Sequence, residues 1–136
     1  MQLLDTTLRD GSYVINFGFT YDQTTKLVYE IEACGIELIE VGHGIGLGAT
    51  EKNISPAVES DEQYAKAAAE GIDKAKWGMF CIPGIAELES IDMCADYEMD
   101  FIRIGVNVDA VDKGKEFVEK AKAKGMFVAM NFMKSY

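Results

Sequence analysis

Five short apolar runs recur along the chain, at about residues 2–7, 37–42, 76–82, 101–106 and 126–132, with a stretch of helical periodicity between each pair. The runs are nearly continuous, as in Met79-Phe80-Cys81-Ile82 and Phe127-Val128-Ala129-Met130, and do not alternate apolar with polar. Strands covered on both faces read that way, which favours a parallel sheet packed with helices. Strand, helix, glycine and strand at intervals of roughly 25 to 40 residues give a βαβαβαβαβ chain.

The helices announce their own ends. Thr20 with Gln23 three residues on is a capping box, so the first helix should run from about Tyr21 to Ala33 and stop at Gly35, with Leu27, Val28, Ile31 and Cys34 on one face. Ser60 and Gln63 open a second in the same way, which continues through an alanine-rich face to Gly71. A third is expected over about Ala86 to Asp96. The fourth should start behind Asp109 as its cap, with Asp112 in the first turn and lysines in the last, matching the helix dipole, before Gly125 ends it.

Two architectures fit this pattern: a five-stranded doubly wound sheet, or the N-terminal five strands of a TIM (β/α)8 barrel. A doubly wound nucleotide binder carries a glycine-rich phosphate loop after its first strand, and Gly11-Ser12-Tyr13-Val14-Ile15 lacks that spacing. A whole barrel needs about 250 residues, and the sequence ends at Lys134-Ser135-Tyr136, directly behind a strand. The expectation is therefore one domain over residues 1–136, forming the N-terminal portion of a barrel.

Composition narrows the function classes. With 23 acidic against 13 basic residues and a formal charge of −10, a nucleic-acid partner is disfavoured, since phosphates would be repelled. Lys113, Lys115, Lys120, Lys122 and Lys124 cluster at helical spacing among apolar and acidic residues, which describes a solvated helix face. No run approaches the ~20 apolar residues of a membrane span, and Met1 leads straight into a strand without a signal-peptide pattern, so a cytoplasmic location is expected. Cys34, Cys81 and Cys94 are odd in number and widely spaced, which reads as reduced, mostly buried thiols. The methionines sit in apolar segments as core filler.

Two strand ends carry the chemistry. The first run stops abruptly on Arg9-Asp10-Gly11, and the second, Ile39-Glu40-Val41-Gly42-His43-Gly44, places a carboxylate inside an apolar strand and the single histidine in a glycine-rich turn. In a parallel sheet these strand ends open into the ligand crevice. A carboxylate buried at Glu40 needs a cationic partner, and Arg9 at the end of the neighbouring strand is the natural one. The glycines at 42, 44, 46 and 48 permit close backbone approach. Asn107, Asn131, Lys134 and Ser135 end later strands on the same face.

Asp5-Thr6-Thr7-Leu8-Arg9-Asp10-Gly11 resembles the opening signature of the hydroxymethylglutaryl-lyase-like, or DRE-TIM metallolyase, superfamily. Glu40 to Gly44, Leu47-Gly48, Pro83-Gly84-Ile85, Phe101-Ile102-Arg103-Ile104 and Phe132-Met133-Lys134-Ser135 extend the likeness, most closely to the aldolase domain of 4-hydroxy-2-oxovalerate aldolases. The resemblance implies a TIM barrel that makes or breaks carbon–carbon bonds beside a metal-bound keto acid. It makes Asp10 a ligand of a divalent metal, Arg9 the group that stabilises a developing enolate, and Glu40 the residue that orients Arg9.

The chain departs from the pattern twice. Ser12-Tyr13 stands where the aldolases usually place a histidine and the related synthases Glu-Gln, and the late His-x-His pair that completes the family's metal site is absent. Tyr13 and His43 are the local candidates for moving the proton of a departing hydroxyl. One carboxylate cannot hold a catalytic metal, which draws about three protein ligands, so the chain alone is expected not to catalyse. For the complete enzyme the resemblance implies a lyase cleaving a 4-hydroxy-2-oxo acid to pyruvate and an aldehyde, or a related acyl transferase. It also implies manganese or magnesium as cofactor, with zinc as the alternative, and leaves open a homo-oligomer and an aldehyde dehydrogenase partner. The competing readings are a non-catalytic half-barrel and a small α/β binding domain that completes its sheet with a partner chain.

Overall fold

The computed structural model describes residues 2–134. Its elements are β1 (Leu4–Asp5), α1 (Tyr21–Ala33), β2 (Leu38–Val41), α2 (Asp61–Gly71), β3 (Lys76–Cys81), α3 (Leu88–Asp96), β4 (Phe101–Asn107), α4 (Lys115–Ala123) and β5 (Phe127–Met133). Short 3-10 segments at Asp10–Ile15 and Val111–Gly114 follow β1 and β4.

All four strand pairings are parallel and the order across the sheet is β1-β2-β3-β4-β5. That order decides between the two architectures. A doubly wound sheet reverses direction in mid-sheet to place helices on both faces, whereas strands laid down in sequence return every right-handed crossover to one face. The sheet curls into a half-barrel with its helices outside. Val28, Ile39, Val41, Ala68, Met79, Ile91, Ile102, Ile104 and Ala121 form the dry layer between sheet and helices. The alternate strand residues, among them Glu40, Phe80, Arg103 and Gly105, point to the concave side. There the Phe80 ring lies across β4, because a Cβ on Gly105 would come within 2.5 Å of its Cζ atom.

Local chemistry explains the boundaries. The Thr20 hydroxyl accepts from the Gln23 amide and the Gln23 side chain accepts from the Thr20 amide, completing the expected capping box. Ser60 caps α2 by accepting from the Gln63 amide at 3.2 Å, without the reciprocal bond. β1 is shorter than the apolar run that predicts it, because the Asp5 carboxylate accepts the Thr7 backbone amide and hydroxyl and turns the chain out of the sheet. α3 begins at Leu88, after an isolated bridge between Pro83 and Ala86 holds the expected first turn out of helix. Asp109 does not cap the fourth helix. It is exposed in the turn after β4, and a 3-10 segment leads into α4 at Gly114. Cys34 is also corrected: it ends α1 exposed, while Cys81 and Cys94 are buried. Among the described residues no helix is long and apolar enough to cross a membrane.

Candidate active site

The first two strand termini meet as the sequence requires. Arg9 enters the 3-10 segment behind β1 with its side chain only 10% exposed, and its Nε donates to Glu40 Oε1 at 2.6 Å. Glu40, in the middle of β2, is completely buried. From β4, Arg103 donates Nε to Glu40 Oε2 at 2.6 Å and Nη2 to Glu40 Oε1 at 2.9 Å. One buried carboxylate thus joins two guanidiniums, one carried by the segment behind β1 and one by β4. The Phe80 ring lies 4.8 Å from the Arg9 guanidinium carbon and 5.3 Å from that of Arg103, so both cations also rest on its electron-rich face.

Arg103 is the functional candidate that sequence reasoning passed over. Its signal was present: an arginine between Ile102 and Ile104 in a buried parallel strand poses the same pairing problem as Glu40. The Glu40 charge, acting mainly through the direct hydrogen bonds, raises the Arg103 pKa further.

Arg9 Nη1 is spent on Asp10 Oδ1 at 2.8 Å and on the Gly44 carbonyl at 3.2 Å, which ties the β1 terminus to the glycine-rich turn behind β2. Arg9 Nη2 and Arg103 Nη1 have no acceptor among the described residues. The cluster therefore offers uncommitted, positively charged donors on the concave side of the sheet. Asp10 stands at its rim with its side chain 63% exposed and one carboxylate oxygen free of Arg9. Among the described residues no group of three histidine, cysteine, aspartate or glutamate side chains could hold a metal ion. The described residues do not by themselves make a metal centre, which draws about three protein ligands.

Tyr13 and His43 reach the same neighbourhood in different states. Tyr13 is half exposed, meets Phe17 edge-on at 4.9 Å, and packs on the backbone of Gly44, where a Cβ would come within 2.6 Å of its ring. Partial burial raises its pKa, against the lowering effect of Arg9 and with a smaller push upward from Asp10, so the phenol is protonated at neutral pH. That makes it a proton donor and removes it as a base. His43 is buried and stacks on Phe17 at 4.0 Å. Its Nδ1 accepts from the Ile45 amide at 3.0 Å and its Nε2 donates to the Ser55 carbonyl at 2.7 Å. With both ring nitrogens hydrogen-bonded, His43 ties the turn together.

Of the later candidates, Asn107 ends β4 beside a cavity of about 100 Å³ that Ile82, Gly105, Lys113 and Met133 also line. Asn131 lies on β5 and Lys134 just behind it, neither hydrogen-bonded to the arginine cluster, and Ser135 lies outside the described residues.

A family model described as HMGL-like matches residues 1–134. The chain is 40% identical over 134 residues to an oxaloacetate decarboxylase of Mycobacterium tuberculosis. It is 36% identical over 133 residues to a 4-hydroxy-2-oxovalerate aldolase of Moorella thermoacetica, and 31% identical over 137 residues to one of Carboxydothermus hydrogenoformans. Each alignment takes in 98% of this chain but only 39%, 39% and 41% of the respective relative, so the chain spans about two-fifths of their length.

Proposed function

The chain belongs to the HMGL-like family, and from that premise we propose that it carries the enolate-stabilising half of a lyase that cleaves a carbon–carbon bond of a 2-oxo acid. The observation that carries the reading is the Arg9–Glu40–Arg103 cluster, formed by the segment behind β1 with β2 and β4, with two guanidinium nitrogens left open. The activities named for the relatives, decarboxylation of oxaloacetate and cleavage of 4-hydroxy-2-oxovalerate, share one electronic event. The bond from the carbon next to the keto group to its outer neighbour breaks and its electron pair flows into the 2-oxo group as a pyruvate enolate, while the outer fragment leaves as carbon dioxide from a carboxylate or as an aldehyde whose hydroxyl proton passes to water.

Donors fixed before the reaction, in a site that excludes water, stabilise such a charge without reorganising. Arg9 and Arg103 are held that way: Glu40 fixes the plane of both guanidiniums, and the Gly44 carbonyl fixes the rotation of Arg9. Tyr13, protonated and at the mouth of the cluster, is the donor that returns a proton to the enolate carbon. His43 keeps the Gly42–Gly48 turn in place, so that Gly44 presents its carbonyl to Arg9. Asp10 would offer one oxygen ligand to a divalent metal of the hard, oxygen-preferring type such as manganese or magnesium, and among the described residues no three-ligand group completes such a site. Such a metal, when bound, would supply Lewis-acid polarisation of a keto oxygen.

The test is Arg9→Met in the full-length protein, assayed with oxaloacetate and with 4-hydroxy-2-oxovalerate. The expected result is a fall in kcat of about 10²–10³ on the substrate the protein uses, with a melting temperature changed by only a few degrees because Arg103 still neutralises Glu40. Turnover close to that of the parent would overturn the assignment.

A further inference from the structure

The segment between β1 and α1 holds a strained turn. Asn16 and Phe17 are consecutive, neither is glycine, and both sit in the left-handed region with φ of 51° and 56°. Asparagine takes that conformation readily, whereas a bulky aromatic residue there is an outlier. Such strain persists only where the surroundings hold it, and it gathers at functional sites.

The surroundings of Phe17 do hold it. The left-handed pair reverses the chain, returns the Phe17 amide to the Ser12 carbonyl at 2.8 Å, and brings the buried Phe17 ring edge-on to Tyr13 at 4.9 Å and 68°. The same ring stacks on His43 at 4.0 Å and 25°, and that imidazole is itself fixed by the Ser55 carbonyl and the Ile45 amide. The Phe17 carbonyl accepts the Val58 amide at 3.2 Å. Tyr13 is anchored far less. It is half exposed, its neighbours Val14 and Ile15 are exposed as well, and among the described residues no hydrogen bond holds its hydroxyl. Its direction rests on ring contacts. A Cβ on Gly44 would come within 2.6 Å of the Tyr13 ring and 2.7 Å of the Phe17 ring, so both rings lie on the one residue whose carbonyl accepts Arg9 Nη1 at 3.2 Å.

We propose that Phe17 is a positioning residue: its strained and anchored ring fixes the Tyr13 ring against Gly44, and so sets where the phenol stands relative to Arg9. The positional claim stands on this geometry, while its catalytic consequence rests on the reading of Tyr13 as the proton donor. Proton transfer is sensitive to such placement, since a displacement of about 1 Å can cost about a hundredfold in rate. The strain at Phe17 is then tolerated because it brings an aromatic wall to a side chain that has no polar tether.

The experiment uses the full-length protein and Phe17→Leu, which keeps an apolar residue at the left-handed position and removes the ring. Phe17→Met, whose flexible side chain fills irregular gaps, takes its place should the leucine variant fail to fold. The position is read by nuclear magnetic resonance with labelled tyrosine and glycine, from the nuclear Overhauser cross-peak between the Tyr13 ring and the Gly44 α-protons, assigned by its absence in Tyr13→Phe. The cross-peak is expected in the parent and lost in Phe17→Leu. Its persistence in the variant overturns the proposal, whatever the kinetics show. The consequence is read from turnover of oxaloacetate and of 4-hydroxy-2-oxovalerate. Phe17→Leu should lower kcat by about tenfold to a hundredfold with KM unchanged, but by less than about twofold when added to Tyr13→Phe, because the group it positions is already gone. Equal falls in both backgrounds overturn the proposal, since they mark a structural role felt by the whole site. Parent-like turnover of Tyr13→Phe, with the cross-peak lost in Phe17→Leu, refutes the donor reading and upholds the positional claim.

Discussion

Replacing Glu40 with glutamine tests the cluster by changing one charge and almost no volume. The parent carboxylate takes three charge-assisted hydrogen bonds, from Arg9 Nε, Arg103 Nε and Arg103 Nη2, with no solvent exposure of its own. In Glu40→Gln the amide oxygen at the Oε1 position still accepts two of them, but the NH2 group then faces Arg103 Nε, which stood 2.6 Å from Oε2. Two donors oppose each other, and two guanidiniums with side chains 10% and 21% exposed lose the anion that neutralised them. Breaking a buried pair of this kind costs about 3–5 kcal/mol. At a urea slope of about 2 kcal/mol per M, that lowers the unfolding midpoint by about 2 M. The loss should be insensitive to 1 M NaCl, since buried charges are poorly screened. In a double-mutant cycle, Glu40→Gln with Arg103→Gln should cost less than the sum of the two single changes, by about 1–3 kcal/mol. A midpoint within about 0.3 M of the parent, or strict additivity in the cycle, would refute the claim that Glu40 is the hub.

Three further outcomes follow from the same coordinates. Tyr13→Phe should lower kcat by about 10²–10⁴ if the phenol is the proton donor. Because the donor must be protonated and its pKa is raised, parent activity should show no Tyr13-dependent loss until the pH exceeds the normal tyrosine range, as a pH–rate profile reads directly. Gly105→Ala puts a methyl 2.5 Å from Phe80 Cζ, and the overpacking should cost about 1–3 kcal/mol in a denaturant melt and displace the ring from both arginines. Glu32→Ala removes the acceptor for the backbone amides of Asp73, Lys74 and Ala75 that close α2 onto β3. These amides are near the surface and can turn to water, so the expected cost is about 1 kcal/mol. Burial works to raise the Glu32 pKa, yet the three amides lower it overall, so its contribution is present above the unfolded carboxylate pKa and disappears as the pH falls through the lower folded value. The alanine variant should lose that part of the acid dependence.

The sequence carried the period of the fold because apolar runs and caps are local. The Thr20–Gln23 box, the Ser60 cap and the lysines at the end of α4 all act within one turn of their own helix. Asp109 was misread for the complementary reason: a good capping residue is also a good turn residue, and the geometry after β4 commits the chain to a 3-10 segment that begins beyond it. The pairing of Arg9 with Glu40 was legible because a carboxylate in a buried strand has few places to find a cation. Arg103 obeys the same rule, but its partner lies 63 residues away across β3, and only the strand order brings the two together. His43 shows what sequence cannot supply: only the folded turn reveals that its two ring nitrogens meet the Ser55 carbonyl and the Ile45 amide.

The most direct test of the central claim is diffraction from the full-length protein soaked with oxalate, a planar dianion shaped like a pyruvate enolate. The account predicts an oxalate oxygen within hydrogen-bond distance of Arg9 Nη2 or Arg103 Nη1, with Glu40 still holding both guanidiniums. Oxalate bound away from these arginines, or an Arg103 that turns out of the cluster when the anion is present, would contradict it.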